Sequence, residues 1–524
     1  MGANETSRKT WTQGSEPVVI NCGVVGRFVQ NNGSNLTVKN IAVTGCKLTA
    51  NYGTIAQGSS CTFTNCTFRG NTGSQTAFWS YVNFILRDCA YVSNAAPFTG
   101  TAYGCDFSGN TSQAKFVCRL QDCNFTGHVQ NGTIVRLNGG ETAGTVVSNC
   151  HFRSNKGIPL IQCEANYKTR IMDCVFESNT NTLILAGLND TDANAVDVSR
   201  CTFASNVVTS ANGAYNKYFP DGNGNGLVGF LVLNSTNSFL SASAAQSRFT
   251  VFDSTFLGNS GSQVMTDVFG VHAVRCTFGS HATYSGNAWN TLSGSAFNSH
   301  LEDCDIENGD ITYCVLERCK VHDVTNGMFA CFREYCRATN TLVESCGAML
   351  YAAIPAENGG LHDAEFVNCT FAANKGQTYR SRCVVDTAND ARFVNCIFNS
   401  NSNGSTETDF SMQNEDSTLN CWTSKVSFAH CYYGKFQPYG RLNQSRFDAK
   451  TGDGLLEQCE NPRFANDHAW SLSLKSDLIG KGDASIWTDS DIDLAGKPRL
   501  RDGAVDPGCY ECWLRELGLM MLVR

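Results

Sequence analysis

A short pattern of apolar and polar positions recurs along this chain. A cysteine and a phenylalanine lie two residues apart, and a small or polar residue and an asparagine follow them. Residues two apart in a strand point to the same face, so the pattern predicts short strands with Cys and Phe turned inward. Gly, Ser and Asn favour turns, so we expect the chain to turn after each strand. Copies begin at Asn65, Gly104, Asp173, Arg200, Asn368 and Asn395, and Ser254 replaces the cysteine in a further copy.

The spacing of these copies is typical of a solenoid. The step between successive cysteines runs from 20 residues at Cys46 and Cys66 to 27 residues at Cys369 and Cys396. A self-similar period of about 20–28 residues indicates stacked structural repeats. We therefore predict an all-β fold, a single-stranded right-handed parallel β-helix of pectate-lyase-like architecture, with coils about 4.8 Å apart.

Stacking places equivalent residues of successive coils on top of each other. We expect an inward phenylalanine ladder and a cysteine ladder beside it, because free cysteine packs as a small buried hydrophobe. We expect few disulfides, since their geometry is demanding. The predicted aromatic ladder comprises Phe68, Phe107, Phe125, Phe152, Phe176 and Phe203. The cysteines predicted to be buried and reduced are Cys66, Cys105, Cys174, Cys201, Cys369 and Cys396.

The pattern divides the chain into three regions. Met1–Glu16 is a polar lead without an apolar run, so we expect no signal peptide here, and a processed form or a fragment of a longer protein. Residues 17–459 are predicted to form one continuous β-helix, and residues 460–524 a C-terminal segment and cap. The apolar Trp513–Arg524 is expected to cover the last coil or to join a partner. Long loop inserts are expected at Thr209–Gly226 and Ala282–Ser299.

Composition and charge exclude several classes of protein. With 42% hydrophobic and 16% charged residues over 524 positions, the chain is neither disordered nor a coiled coil. A net charge of -8 argues against a nucleic-acid partner. The longest apolar runs are far short of the ~20 residues that a membrane-spanning helix needs, so no span is predicted. The 27 cysteines include one CxxC pair, Cys509 and Cys512, without a second pair at zinc-like spacing.

The C-terminal segment carries the most specific signal. Its motifs are Asn461-Pro462-Arg463-Phe464 and the runs at 472–482, 491–499 and 505–511. They resemble the C-terminal region of bacterial surface-associated right-handed β-helix repeat proteins with a choice-of-anchor segment, whose pattern is roughly D-P-x-F, L-x-x-x-S-P-x-I-x-x-G, D-x-D-G-x-P-R and V-D-x-G-A-Y-E. The chain departs from it at Asp477-Leu478, at Leu494-Ala495-Gly496 and at Cys509, where the family favours Ser-Pro, a single Gly and Ala. The resemblance implies an exported, envelope-associated protein and no defined activity.

The strongest candidate for surface chemistry is the acidic run at 302–307. Strand alternation turns Cys304 and Ile306 inward and sends Asp303, Asp305 and Glu307 outward. Aligning Cys304 with Cys319 then predicts a ladder of opposite charges, in which Asp303, Asp305 and Glu307 lie beside Arg318, Lys320 and His322, with Arg275 on the other side of Asp303.

Three interpretations of this run stay open. One is an exposed charge ladder that fixes the strand register. Another is a carboxylate-plus-base site of a polysaccharide lyase or hydrolase, and the third is a contact with calcium or an anionic sugar. The signatures of pectin-cleaving β-helix enzymes (Asn-Thr-Asp, Asp-Asp, Gly-His-Gly and Arg-Ile-Lys) are missing, which favours the first. The catalytic candidates under the second are Asp303, Asp305, Glu307, Lys320 and His322.

Calcium is the one cofactor that the sequence suggests. Asp489, Asp491 and Asp493 alternate in the C-terminal segment, and carboxylate oxygens suit Ca²⁺. Asp221–Gly226 imitates the start of an EF-hand loop, although Val232 stands where that loop needs Glu. The alternatives are a solvated turn and a flexible loop.

Three functions follow from these observations. We favour a structural or adhesive β-helix, secreted or on a bacterial cell surface, that binds polysaccharide or cell-surface glycan and carries no evident catalytic machinery. The first alternative is a lyase or hydrolase acting on acidic polysaccharide. The second is a phage-type fibre or spike, which would usually be trimeric. The sequence names neither the ligand nor the oligomeric state.

Overall fold

The described part of the chain consists of short strands and tight turns. The computed structural model describes residues 10–11, 18–21, 24–25, 27–31, 35–48, 54–58, 61–73, 78–79, 84–111, 114–130, 132–137, 144–157, 159–163, 168–187, 196–208, 216–220, 226–234, 249–261, 265–269, 271–279, 293–297, 299–307, 310–312, 314–323, 336–346, 350–351, 364–375, 385–386, 391–402, 406–410, 426–438, 443–465 and 470–512.

The chain forms two compact units, each made of coils of parallel strands. Unit 1 comprises Met1–Val271 and Tyr284–Leu292, and unit 2 comprises His272–Thr283 and Ser293–Arg524. The strands of unit 1 are Thr10–Trp11, Val18–Asn21, Val24–Val25, Arg27–Asn31, Leu36–Lys39, Ile41–Thr44, Lys47–Leu48, Thr54–Gly58, Cys61–Thr64, Thr67–Arg69, Thr72–Gly73, Phe78–Trp79, Ile85–Arg87, Ala90–Val92, Phe98–Tyr103, Asp106–Ser108, Ala114–Gln121, Asn124–Thr126, Val135–Leu137, Thr145–Ser148, His151–Arg153, Ile161–Cys163, Thr169–Met172, Val175–Glu177, Ile184–Gly187, Val196–Ser199, Thr202–Ala204, Val207–Val208, Asn216–Pro220, Gly226–Asn234, Phe249–Phe252, Thr255–Leu257, Ser260–Gly261 and Met265–Phe269.

Within its described residues, unit 2 has two short helices in addition to its strands. The helices are an α-helix at Gln444–Asp448 and a 3₁₀ helix at Ala484–Ile486. The strands are His272–Val274, Thr277–Gly279, Ser293–Phe297, His300–Glu302, Asp305–Glu307, Asp310–Thr312, Val315–Glu317, Lys320–His322, Arg337–Thr339, Leu342–Glu344, Leu350–Tyr351, Ala364–Val367, Thr370–Ala372, Val385–Asp386, Ala391–Val394, Ile397–Asn399, Val426–Ala429, Cys431–Tyr433 and Leu456–Gln458. The predicted all-β, right-handed parallel β-helix is confirmed.

One coil of unit 1 shows how the sequence makes the corners. A first strand, Thr145–Ser148, ends at Asn149, which adopts a left-handed conformation with φ of 49°. The second strand, His151–Arg153, ends at Ser154 with φ of 54°, and a third strand follows at Ile161–Cys163. Asn, Asp, Gly and Ser occupy most such corners because short polar or absent side chains tolerate positive φ.

The phenylalanines of the second strands form the predicted inward ladder in unit 1. Phe107, Phe125, Phe152, Phe176 and Phe203 stack with ring centroids 4.7–5.0 Å apart, and all are fully buried. The ladder continues to Phe256 and includes Tyr91 between Phe68 and Phe107. Burying each ring contributes on the order of 2–3 kcal/mol, so this column is a main source of stability.

The cysteine ladder is buried as predicted, and it also carries hydrogen bonds. Cys105 Sγ lies 3.1 Å from the carbonyl of Tyr103 and accepts from the backbone N–H of Cys89 at 3.5 Å. Ser254 takes the same place in its coil, since Cys201 N–H donates to Ser254 Oγ at 3.1 Å. The thiols therefore satisfy backbone groups between coils as well as filling space. That they are reduced stays a prediction.

The asparagines of the pattern differ from the expectation. The asparagines that close each copy do not adopt the left-handed conformation themselves, because the preceding residue does, which is Gly or Ser in most copies and Ala373 in one. Asn179 is fully buried, and its Nδ2 donates to Asn206 Oδ1 at 3.1 Å and to the Phe152 carbonyl at 2.9 Å. Its Oδ1 accepts from Asn155 at 3.0 Å. Stacking of coils thus turns a turn-forming residue into an amide ladder that satisfies buried backbone groups.

The C-terminal segment packs against the outside of the coils of unit 2. Arg499 is fully buried, and its guanidinium reaches Glu511 Oε1 at 2.7 Å, the Gly508 carbonyl at 2.8 Å and Asn340 Oδ1 at 2.8 Å. Asn368 also donates to the Asp506 carbonyl at 2.8 Å. The motifs at 491–499 and 505–511 therefore form one buried ionic contact that attaches the segment to the coils. The predicted cap Trp513–Arg524 lies outside the described residues.

Both predicted inserts contain strands, which corrects the expectation of plain loops. Asn216–Pro220 pairs antiparallel with Gly226–Asn234, and Ser293–Phe297 pairs in parallel with Asp310–Thr312. The second strand was missed because Ser293-Gly294-Ser295-Ala296 lacks an apolar alternation. Residues 209–215, 221–225 and 280–292, like most of Met1–Glu16, lie outside the described residues. Within the described part of the chain, no helix has the length and apolar character to cross a membrane.

Candidate functional site

The acidic run lies on the outer face of unit 2, around the corner between first and second strands. Asp303 and Arg318 occupy this corner in adjacent coils, with φ of 52° and 51°. Cys304 and Ile306 are buried, whereas Asp303 and Asp305 are exposed and Glu307 is half-buried. The register places Asp305 opposite Lys320 and Glu307 opposite His322, as the alignment of Cys304 with Cys319 predicts.

Arg318 holds the carboxylates at the corner. Its Nε donates to Asp303 Oδ1 at 2.7 Å, and its Nη2 donates to Asp303 Oδ2 at 3.3 Å and to Glu302 Oε1. Only 15% of the Arg318 side chain is exposed, so the guanidinium is already occupied by two carboxylates. A bidentate pair of this kind fixes the position of both groups.

Asp305 pairs with His322, not with the residue opposite it. His322 Nε2 lies 2.8 Å from Asp305 Oδ1, and His322 Nδ1 lies 2.8 Å from Asp323 Oδ2. The hydrogen bond to Asp305 raises the pKa of His322 to about 9, against its partial burial, and the bond to Asp323 acts in the same direction. The bond from His322 lowers the pKa of Asp305. At neutral pH, His322 is therefore an imidazolium between two carboxylates.

The other predicted pairs are displaced along the stack. Lys320 Nζ lies 3.0 Å from Glu344 Oε1 in the following coil, where Leu342 is the residue directly opposite Lys320. Glu307 makes no ion pair with any described residue, although it stands opposite His322. The structure thus brings Asp305, Lys320 and His322 together with Asp323 and Glu344, and leaves Glu307 at the margin.

Two histidines that the sequence reasoning missed lie on the adjoining first strands. The rings of His272 and His300 stack at 4.7 Å between centroids. His272 Nε2 is 3.3 Å from Glu302, and His300 Nε2 is 3.3 Å from Glu317. Burial lowers the pKa of His272, and the neighbouring His300 lowers it further. The close contact with His300 lowers the pKa of Glu317.

A sequence signal for this second cluster exists. Counted back from Cys276 and Cys304, the fourth residue is histidine in both coils, and the second before Cys304 and Cys319 is glutamate. If the alignment of the cysteines is extended back to the first strands, it places His272 and His300 at the same position of adjacent coils. That their rings stack is known only from the structure.

The three calcium candidates do not converge on a common point. Both carboxylate oxygens of Asp493 accept backbone N–H groups, Oδ1 from Lys497 at 2.7 Å and Oδ2 from Glu511 at 2.8 Å. Asp491 Oδ2 accepts from Thr488 N–H at 2.7 Å, and Asp489 is exposed. Across the described residues, no three His, Cys, Asp or Glu side chains gather as a metal site. The EF-hand-like run Asp221–Gly226 lies outside the described residues, except for Gly226.

The comparisons with known proteins concern the fold. No family model matches the chain, and no curated protein matches it. The chain is similar to a PL6 alginate lyase in complex with a trisaccharide, at 10% identity and a TM-score of 0.28, over 63% of this chain and 79% of that chain. It is similar to a PL6 family polysaccharide lyase from Pseudopedobacter saltans, at 11% identity and a TM-score of 0.29, over 82% and 94%. It is also similar to a mutant periplasmic alginate epimerase, at 9% identity and a TM-score of 0.20, over 67% and 73%. These values are too low to transfer a residue or an activity.

Proposed function

We propose that this chain is a structural or adhesive β-helix protein, secreted or on the cell surface of a bacterium, that contacts glycans through its charged outer face without cleaving them. The observation that carries the proposal is the mutual pairing of the charged side chains around Asp305. The location rests on the resemblance of residues 460–512 to surface-associated proteins.

The pairing argues against catalysis at this face. A general base must be unprotonated near the operating pH, whereas two carboxylates keep His322 protonated. Lys320 is held by Glu344 and Arg318 by Asp303 and Glu302. Using any of these groups in a reaction would first require breaking an existing ion pair.

The same face suits a polysaccharide as a binding partner. Lys320 remains 42% exposed and Asp305 54% exposed, so both charges are within reach of a ligand. On these adjacent coils, Lys320 offers a cation to acidic sugars and Asp305 offers a carboxylate to sugar hydroxyls. A long ligand would gather several weak contacts of this kind.

One observation favours the enzyme alternative. Because burial lowers the pKa of His272, this imidazole is neutral at neutral pH and could accept a proton. The guanidinium of Arg318 lies close by and could offset the carboxylate of a uronic acid, but Asp303 and Glu302 occupy it. The enzyme alternative can therefore be tested by replacing His272, and it is our second candidate function.

Binding to an immobilised panel of acidic and neutral polysaccharides tests the proposal. We expect wild type to bind at least one acidic polysaccharide, and Lys320→Ala to bind it several-fold more weakly. Arg69→Ala, an exposed position on a second strand of unit 1, is the matched control and should bind like wild type. Absence of binding across the panel, or equal loss in both variants, would refute the proposal.

A further inference from the structure

A polar cleft lies in unit 2 on the outside of the strand Leu456–Gln458. Its volume is about 750 Å³, and its opposite wall is the stretch from Asp477 to Gly482. Cys459 N–H still pairs with the Tyr433 carbonyl at 2.7 Å, so the coil forms one wall up to this residue. Arg463 Nη1 donates to the Lys475 carbonyl at 2.6 Å and connects the two walls.

Buried apolar side chains form the floor of the cleft. Leu478 and Tyr432 are 4% and 6% exposed and belong to one apolar cluster with Leu472. Tyr432 OH donates to the Lys481 carbonyl at 3.2 Å, which holds the stretch at 477–482 in place. A cleft with such a floor exists before any ligand binds, so little binding energy is spent on ordering it.

The walls carry hydrogen-bonding groups of a particular kind. Glu457, Glu460 and Asp477 supply three carboxylates, and Gln458 and Asn461 supply two amides. Asp477 is 80% exposed and its contact with Arg463 is a loose 3.9 Å, so this carboxylate is available to a ligand. Carboxylates accept hydrogen bonds, and amides both accept and donate them, which matches the neighbouring hydroxyls of a sugar ring.

The same groups disfavour other ligands. The three carboxylates outnumber the cationic side chains of Arg463 and Lys481, which works against phosphate or uronate groups. The described residues contain no cluster that could hold a metal ion. The polar walls do not suit an apolar ligand, and the volume falls within the ~300–1,000 Å³ of small-molecule sites.

We propose that this cleft binds a neutral saccharide of one or two units, with Asp477 and Glu457 as hydrogen-bonding partners of its hydroxyls. The site is separate from the charged face around Asp305. It rests on the proposed glycan-contacting function and adds a second place at which this protein would bind a sugar. Cys459 lines the cleft and is half-buried, so a bound sugar would cover its thiol.

Cys459 allows the test to be made on the full chain. The rate of its alkylation, followed by peptide mass spectrometry, is measured with and without millimolar neutral hexoses, disaccharides of neutral hexoses, and uronic acids. We expect saturable protection by a neutral saccharide, a dissociation constant from calorimetry that agrees with it, and at most weak protection by uronic acids. Protection by none of the saccharides, or stronger protection by uronic acids, would overturn the proposal.

Variants separate this site from the charged face. Asp477→Ala should weaken the neutral saccharide about tenfold, the loss of roughly one hydrogen bond to a charged group. Asp489→Ala, an exposed aspartate of the same segment, should leave the affinity unchanged. Equal affinity of Asp477→Ala and wild type would contradict the assignment, whatever the polysaccharide panel shows for the charged face.

Discussion

Asp305 and His322 are joined by a 2.8 Å hydrogen bond between adjacent coils, although the register places Lys320 opposite Asp305. Lys320 instead extends to Glu344 in the following coil. The side chains thus pair diagonally, according to their length. As a result, the pKa of His322 is raised, and its effect on stability depends on pH.

Replacing His322 should lower stability only where the imidazolium is present. Its ordinary pKa is 6.5 and rises to about 9 in the folded protein, so its contribution is full below pH 6.5 and is lost as pH rises through 9. The lowered pKa of Asp305 means that the contribution is also lost in acid, below that carboxyl's ordinary 3.8. Because both groups are partly exposed, we expect His322→Asn to cost about 0.5 kcal/mol at pH 6.

Denaturant unfolding of His322→Asn and wild type at pH 6 and at pH 10 measures this difference. It should disappear at the higher pH and shrink with added salt. Asp305→Ala should likewise shift the melting temperature only slightly. A difference that is the same at both pH values would show that His322 stabilises the face by packing alone.

The cysteine ladder makes a prediction that separates packing from hydrogen bonding. Cys105 Sγ accepts the N–H of Cys89, so Cys105→Ala leaves a buried donor without its acceptor and should cost about 1–2 kcal/mol. Cys105→Ser restores an acceptor, as Ser254 does in its own coil, and should cost less. Thermal unfolding of both variants gives the order. If alanine is tolerated better than serine, the ladder acts only as a column of small apolar groups.

The amide ladder should be among the most sensitive features of unit 1. Asn179→Ala removes the donor to the Phe152 carbonyl and the acceptor of Asn155 N–H, both buried. We expect a loss of about 2–4 kcal/mol. Thr202→Ala, on the outer side of a neighbouring second strand, is the control and should cost less than about 0.5 kcal/mol. Similar losses in the two variants would show that the amide ladder contributes no special stability.

The buried contact between Arg499 and Glu511 should decide whether the C-terminal segment stays attached. Burial raises the pKa of Glu511, and the guanidinium of Arg499, 2.7 Å away, opposes that rise and favours the carboxylate. Arg499→Met leaves the carboxyl without its partner and should cost about 3 kcal/mol or more, with faster proteolysis of residues 470–512. Arg501→Met, where the guanidinium is only partly buried, is the matched control. Equal proteolysis of the two variants would contradict this role.

The sequence pattern predicted the ladders whose members hold the same position in the second strand of each coil. Cys and Phe two apart specify a shared face wherever they stand, so Phe107 and Phe125 could be placed without the structure. The pattern did not predict that Tyr91 belongs to the aromatic ladder. Its coil reads Ala90-Tyr91-Val92, whereas the neighbouring coils have Thr-Phe or Asp-Phe at this place. The contact between the C-terminal segment and the coils of unit 2 could not be predicted from the sequence, since no spacing rule connects Asn340 with Arg499.

Residues whose roles depend on the next coil were misjudged. Asn179 by itself favours a turn, and only a partner 27 residues away makes it part of a ladder. At the candidate site, the aligned cysteines gave the correct register, whereas the diagonal pairing of His322 depends on side-chain length. The stacking of His272 on His300 requires the first strands to be aligned as well.

The most direct test of a glycan-contacting but non-catalytic protein is a cleavage assay on the polysaccharides that it binds. Wild type is incubated with each of them, and new reducing ends and the ultraviolet absorbance of unsaturated products are followed over time. We expect neither signal to rise above that of the heat-denatured protein. Cleavage by wild type that is lost in Asp305→Ala or in His272→Ala would contradict this expectation and identify the outer face of unit 2 as an active site.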